Sequence, residues 1–126
     1  MISIPLARRL RDAGLSWTPR NGDRFFIPDR DLDERTFAIS DMAVEIRSVP
    51  GGREIAFNGA VEWALDAIHK EEVVWLPSEE QLRELVGERF RSLERIADGY
   101  RCTTEGGTHD AVTAADAYAL AVLAHL

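Results

Sequence analysis

A chain of 126 residues with 45 % apolar side chains has the size and composition of one globular domain, which excludes a disordered segment. Its 22 acidic and 15 basic residues leave a net charge of -7, which argues against nucleic acid or an anionic membrane held by bulk electrostatics. The single cysteine, Cys102, excludes an intrachain disulfide or a thiolate zinc site and reads as a buried, inert thiol.

Met1 to Leu15 carries Arg8, Arg9 and Arg11 within its apolar pattern and does not read as a signal peptide. Ser3 is placed to cap a helix with Pro5 in its first turn, Leu6, Leu10 and Ala13 as its buried stripe and Gly14 as its stop. Arg24 to Pro28 is short, aromatic and strand-like, and Asp29 to Arg35 is a charged loop. Thr36 to Ser40 and Ala43 to Val49 alternate in hydropathy, Pro50-Gly51-Gly52 turns the chain, and Arg53 to Phe57 returns. Val61, Ala64, Leu65 and Ile68 predict a helix over Ala60 to Lys70, and Val73 to Leu76 a short strand.

Ser78-Glu79-Glu80-Gln81 predicts a capping box, followed by an apolar face of Leu82, Leu85 and Val86 and a stop at Gly87. Phe90 to Ala97 and Tyr100 to Thr104 flank Asp98-Gly99, a hairpin signal for a type I′ turn, which places Ala97 opposite Tyr100 and Leu93 opposite Thr104. Gly106-Gly107 turns the chain into Thr108 to Val112, and Thr113 with Asp116 caps a last helix from Ala114 that is apolar almost all round. At roughly 20 Å that helix is too short to cross a bilayer. It belongs in a core or at a contact between two copies of the chain.

The expected fold is a single α+β domain over 1–126, an antiparallel sheet of about six or seven strands with about four helices. An internal echo suggests two α-β-β-β-α half-repeats, 1–72 and 77–126. With Gly51-Gly52 set on Gly106-Gly107, an offset of 55 places Ala60 on Ala115, Trp63 on Tyr118, Leu65 on Leu120 and Ile68 on Leu123.

Candidate sites are few. Asp29, Asp31 and Asp33 could approach a hard cation, but an EF-hand would need glycine where Glu34 stands and glutamate where Ser40 stands, so the run reads as a solvated turn. Glu62, Asp66 and His69 share one face of the predicted helix as possible metal ligands. Asp66 pairs equally well with Lys70 at i+4, which makes that face ordinary solvated surface. His109 and His125 neighbour no nucleophile in sequence. Lys70, the only lysine, follows His69 rather than a glycine, so the chain lacks a Walker-type phosphate loop. Schiff-base chemistry would rest on that same side chain. Trp17, in a loop after the first helix, is a candidate partner anchor, as are Leu120 and Leu123 on the last helix.

The segments RFFIPDRDLD, AISDM, FNGAVEWALD, VVWLPSEEQLREL and LER-x-x-DGYRC give the chain a resemblance, over most of its length, to short actinobacterial proteins often labelled as pilus-assembly proteins. The resemblance implies a small actinobacterial domain and carries over no catalytic residue. The second half also resembles a double-stranded-RNA-binding domain in element order, but Thr113-Ala114-Ala115-Asp116 lacks the basic helix start that grips phosphates. The strands before an Ala-rich helix are similar to the β-β-β-α order of a partner-binding antitoxin, by fold analogy alone.

The expected function is a non-enzymatic accessory or protein-interaction module, cytoplasmic, with an unknown protein partner and a homodimer through the last helix. No cofactor, nucleic acid or membrane is implied. The alternative is a small-molecule or metal-dependent enzyme with a site assembled from distant acidic residues and histidines.

Overall fold

The computed structural model describes residues 1–28, 36–38, 44–49, 52–57, 67–69 and 73–126. They form an α+β protein whose residues group into two compact units, Met1–Ser16 with Leu76–Leu126, and Trp17–Trp75.

In the first unit, helix α1 (Ile4–Asp12) begins where sequence places it, directly after Ser3 and with Pro5 in its first turn. Ser3 takes the cap position without a side-chain cap, and its own N–H donates to an acceptor from elsewhere in the unit. The buried residues are Ile2, Ala7 and Leu10, whereas Leu6 is half-buried and Ala13 is exposed. Helix α2 (Glu79–Val86) starts with the expected reciprocal cap: Gln81 N–H donates to Ser78 Oγ at 3.1 Å, and Ser78 N–H donates to Gln81 Oε1 at 2.9 Å. It buries Leu82 and Val86 and leaves Leu85 exposed, then tightens into a 3-10 turn over Gly87–Arg89.

Helix α3 (Ala114–Leu123) lies at the centre of this unit, against α1, α2 and two strands of the sheet described next. Ala115, Ala117, Tyr118, Ala119, Ala121 and Val122 are all buried. Four alanines in that set let neighbouring backbones come close on several sides, and the apolar all-round pattern therefore reports a core helix. Its one buried aromatic ring, Tyr118, packs tilted against Phe90 with centroids 5.9 Å apart.

The strands of this unit are β7 (Phe90–Ile96), β8 (Gly99–Thr104) and β9 (Gly107–Ala111), an antiparallel meander in sequence order. The element order over 79–123 is therefore α-β-β-β-α, as expected. The register corrects the predicted hairpin: Ile96 pairs with Gly99, Arg95 with Tyr100 and Leu93 with Cys102, so the loop is Ala97-Asp98. Gly99 therefore stands in β8 instead of in the turn, and a β-carbon on it would sit 2.1 Å from the Ala111 carbonyl oxygen, so this glycine serves a close approach of β8 to the end of β9. The shift is by two residues, which keeps the side chains from Ser92 to Ile96 on their expected faces, and the ladder is irregular between Phe90 and Ser92.

The unit Trp17–Trp75 contributes β1 (Arg24–Phe26), β2 (Thr36–Ala38), β3 (Val44–Val49), β4 (Gly52–Phe57), β5 (Ala67–His69) and most of β6 (Val74–Leu76). Strand β1 pairs antiparallel with β2, Phe25 opposite Phe37, and has β6 on its other side. Strands β3, β4 and β5 form a second antiparallel meander, with Val49 opposite Gly52 and Ile55 opposite Ile68.

Two expectations need correction. The described strands form groups of three instead of one sheet of six or seven, and among the described residues there are three α-helices. The helix predicted to Lys70 does not include Ala67–His69, which pair with β4 and take their backbone partners from that neighbouring strand. Ile68 thus lies in a strand, while Leu123, its counterpart in the echo, lies in α3.

Candidate functional site

The start of α3 carries the most exposed large hydrophobic side chain among the described residues. Asp116 N–H donates to Thr113 Oγ1 at 3.1 Å, the expected cap, and Asp116 Oδ1 accepts from Ser3 N–H at 2.7 Å. These two bonds hold the chain between β9 and α3 and leave Val112 78 % exposed. Met1, itself 63 % exposed, joins Val112, Leu93, Tyr100 and Ala114 around a shallow depression of ≈ 340 Å³, with Glu79 at its polar side. A neighbouring depression of ≈ 330 Å³ is bounded by Glu79, Glu80, Arg83 and Tyr118. Burial pushes the Tyr118 phenol above its ordinary pKa, Arg83 opposes the shift, and Glu79 adds to it.

On the outer face of the meander, the register places Glu94, Arg101 and Asp110 in one row across the three strands. The Arg101 guanidinium binds Asp110 bidentately, Nε to Oδ1 at 2.8 Å and Nη2 to Oδ2 at 3.0 Å. That hydrogen bond holds the Asp110 carboxyl below its usual range and raises Arg101 above its own. Arg91 pairs with Glu105 nearby. This face is therefore a self-neutralised polar surface.

In the other unit, Trp17 stacks on Trp75 with centroids 6.2 Å apart and packs on Phe25 at 5.9 Å. Trp17 Nε1–H donates to Asp23 Oδ2 at 2.9 Å, and Arg20 N–H donates to the same oxygen at 3.0 Å. Asp23 is buried, and these donors are among the partners that satisfy its carboxyl group. Sequence reading passed over Asp23; its spacing of six from Trp17, across a Pro-Arg-Asn-Gly turn, was the available signal.

The sequence candidates are not brought together. Trp17 is buried, 6 % exposed, while Leu120 and Leu123 are half-buried on α3. His69 lies on β5, so the helical phase that aligned it with Asp66 does not extend to it. Glu62, Asp66, Asp29, Asp31 and Asp33 lie outside the described residues, as do Lys70 and Trp63. His109 is on β9 opposite Cys102, and the His125 ring lies beside Gly106 in the β8–β9 turn. Cys102 is fully buried, which raises its thiol pKa and disfavours the reactive thiolate. Among the described residues no cluster of His, Cys, Asp and Glu could hold a metal ion, and no helix is long and apolar enough to cross a membrane. Compared with protein-family models, with curated proteins and with solved structures, the chain matches none.

Proposed function

We propose that the protein is a non-enzymatic accessory module that binds another protein, or a second copy of itself, through the apolar surface at the start of α3. The observation that carries this reading is Val112, an aliphatic side chain 78 % exposed beside the exposed Met1, over a depression floored by Leu93, Tyr100 and Ala114. Contiguous apolar surface left open marks a docking surface, and covering it contributes about 25 cal/mol per Å². The half-buried Leu120 and Leu123 on the same helix are a second candidate contact for a homodimer. The cytoplasmic location and the actinobacterial resemblance belong to this proposal.

The test is light scattering coupled to size exclusion on the wild type, Val112→Asp, and the pair Leu120→Glu with Leu123→Glu. If the α3 start is the contact, Val112→Asp remains folded by circular dichroism and shifts to monomer or loses its partner in a pull-down. A wild-type monomer whose retained proteins are the same with and without Val112→Asp would remove the proposal.

A further inference from the structure

The structure assigns a modification site that the interaction reading does not use: we infer that Asn21 deamidates spontaneously in the folded protein, and that its isoaspartyl product opens the turn holding Trp17. Both asparagines of the chain precede glycine, Asn21-Gly22 and Asn58-Gly59, and the second pair lies outside the described residues. Glycine lacks the β-carbon that would keep its amide nitrogen away from the carboxamide carbon of the preceding asparagine. In the turn Arg20–Asp23 both reacting groups are presented to water. Asn21 and Gly22 are exposed, and nothing lies within 4 Å of the place a β-carbon on Gly22 would occupy. The Asn21 carboxamide and the Gly22 N–H have no hydrogen-bond partner among the described residues. The turn is closed around them, by Asp23 N–H to Arg20 O at 3.0 Å and Arg20 N–H to Asp23 Oδ2 at 3.0 Å.

The chemistry needs only water. Hydroxide takes the Gly22 amide proton, the nitrogen attacks Asn21 Cγ, and the new C–N bond closes a succinimide. The Cγ–NH2 bond breaks, and the amine leaves as ammonia with a proton from solvent. Water then opens either ring carbonyl, giving aspartate or isoaspartate, so one water is consumed and one ammonia released without any change in oxidation state. The isoaspartyl product routes the backbone through the former side chain and adds a methylene inside the turn. The Asp23 N–H to Arg20 O bond spans that insertion, and Asp23 is also the acceptor for Trp17 Nε1–H at 2.9 Å. The lengthened turn therefore moves the carboxylate that anchors the stacked Trp17 and Trp75 rings.

The experiment incubates the full chain at mildly alkaline pH beside a synthetic peptide of residues 15–28, with peptide mapping by mass spectrometry to separate Asn21 from Asn58. The expected result is conversion of Asn21 within about fivefold of the peptide rate; slower conversion would mean that the turn must first open, and would overturn the proposal. The isoaspartyl form is then purified and its tryptophan emission compared with that of Asn21→Asp, which carries the new charge on an ordinary backbone. A red shift beyond that of Asn21→Asp supports the coupling to Trp17, and identical emission overturns it.

Discussion

Asp116 Oδ1 accepts the backbone N–H of Ser3 at 2.7 Å across 113 positions of sequence, so one residue serves the starts of two helices. Its own N–H donates to Thr113 Oγ1, which caps α3, while its side chain satisfies the open end of α1. A negative charge near both helix N-termini also opposes their partial positive charge. This bond joins the first and last helices of the unit and keeps the chain before α3 in place under Val112.

Asp116→Ala is expected to cost about 1–3 kcal/mol, since it removes a charged acceptor from a partly buried N–H. Asp116→Asn retains an oxygen acceptor and should lose less. Urea denaturation of the three proteins measures the order; Asp116→Ala at wild-type stability would show that the bond contributes nothing.

Gly99→Ala should be far more damaging than Gly107→Ala. A β-carbon at Gly99 meets the Ala111 carbonyl oxygen at 2.1 Å and Val112 Cα at 2.9 Å, both backbone atoms that cannot swing aside. At Gly107 nothing lies within 4 Å, and only its φ of 142° opposes a side chain, a cost on the order of 1–3 kcal/mol. Thermal melts that rank the two variants equally would contradict the β8–β9 approach described above.

Ser78→Ala should destabilise by about 1 kcal/mol, because Gln81 N–H loses its acceptor, whereas Ser78→Asp should be nearly neutral as an equally good cap. Chemical denaturation of both variants checks the cap directly, and equal losses from Ala and Asp would assign the effect to the serine's surroundings instead.

The Asp110 carboxyl should titrate below the ordinary carboxylate range, held there by its hydrogen bond from Arg101. Arg101→Gln should return its midpoint upward, and high salt should do so in part, because the pair is exposed. For a carboxylate lowered in the folded state, the stabilisation is present above the unfolded pKa and is lost as pH falls through the folded one. Side-chain carboxyl chemical shifts followed by NMR give the midpoint, and an unchanged midpoint in Arg101→Gln would sink the assignment.

Local chemistry was legible wherever a few neighbouring residues settle the geometry. The Ser78–Gln81 box, the Thr113 cap on Asp116 and the strand-turn-strand run after Gly87 are short-range arrangements, and each was readable from residue type and spacing. Of the candidate sites, only burial of Cys102 and the cap on α3 could be read in that way. The stretch Ala67–His69 was not, since its apolar period suits a helix and the pairing with β4 supplies the competing hydrogen bonds. Trp17 was equally ambiguous, because a loop tryptophan is an anchor or a core residue according to what packs on it.

By itself, then, the sequence determined an acidic α+β chain, its capped helices, and an apolar last helix that must be covered. Tertiary structure decided the rest: the bond from Ser3 N–H to the distant Asp116, the register of the β7–β8 hairpin, the close approach of Ala111 to Gly99, and the exposure of Val112. The reason is range. Caps and turns are closed by groups a few residues apart, whereas burial, register and open surface depend on which distant backbone arrives alongside.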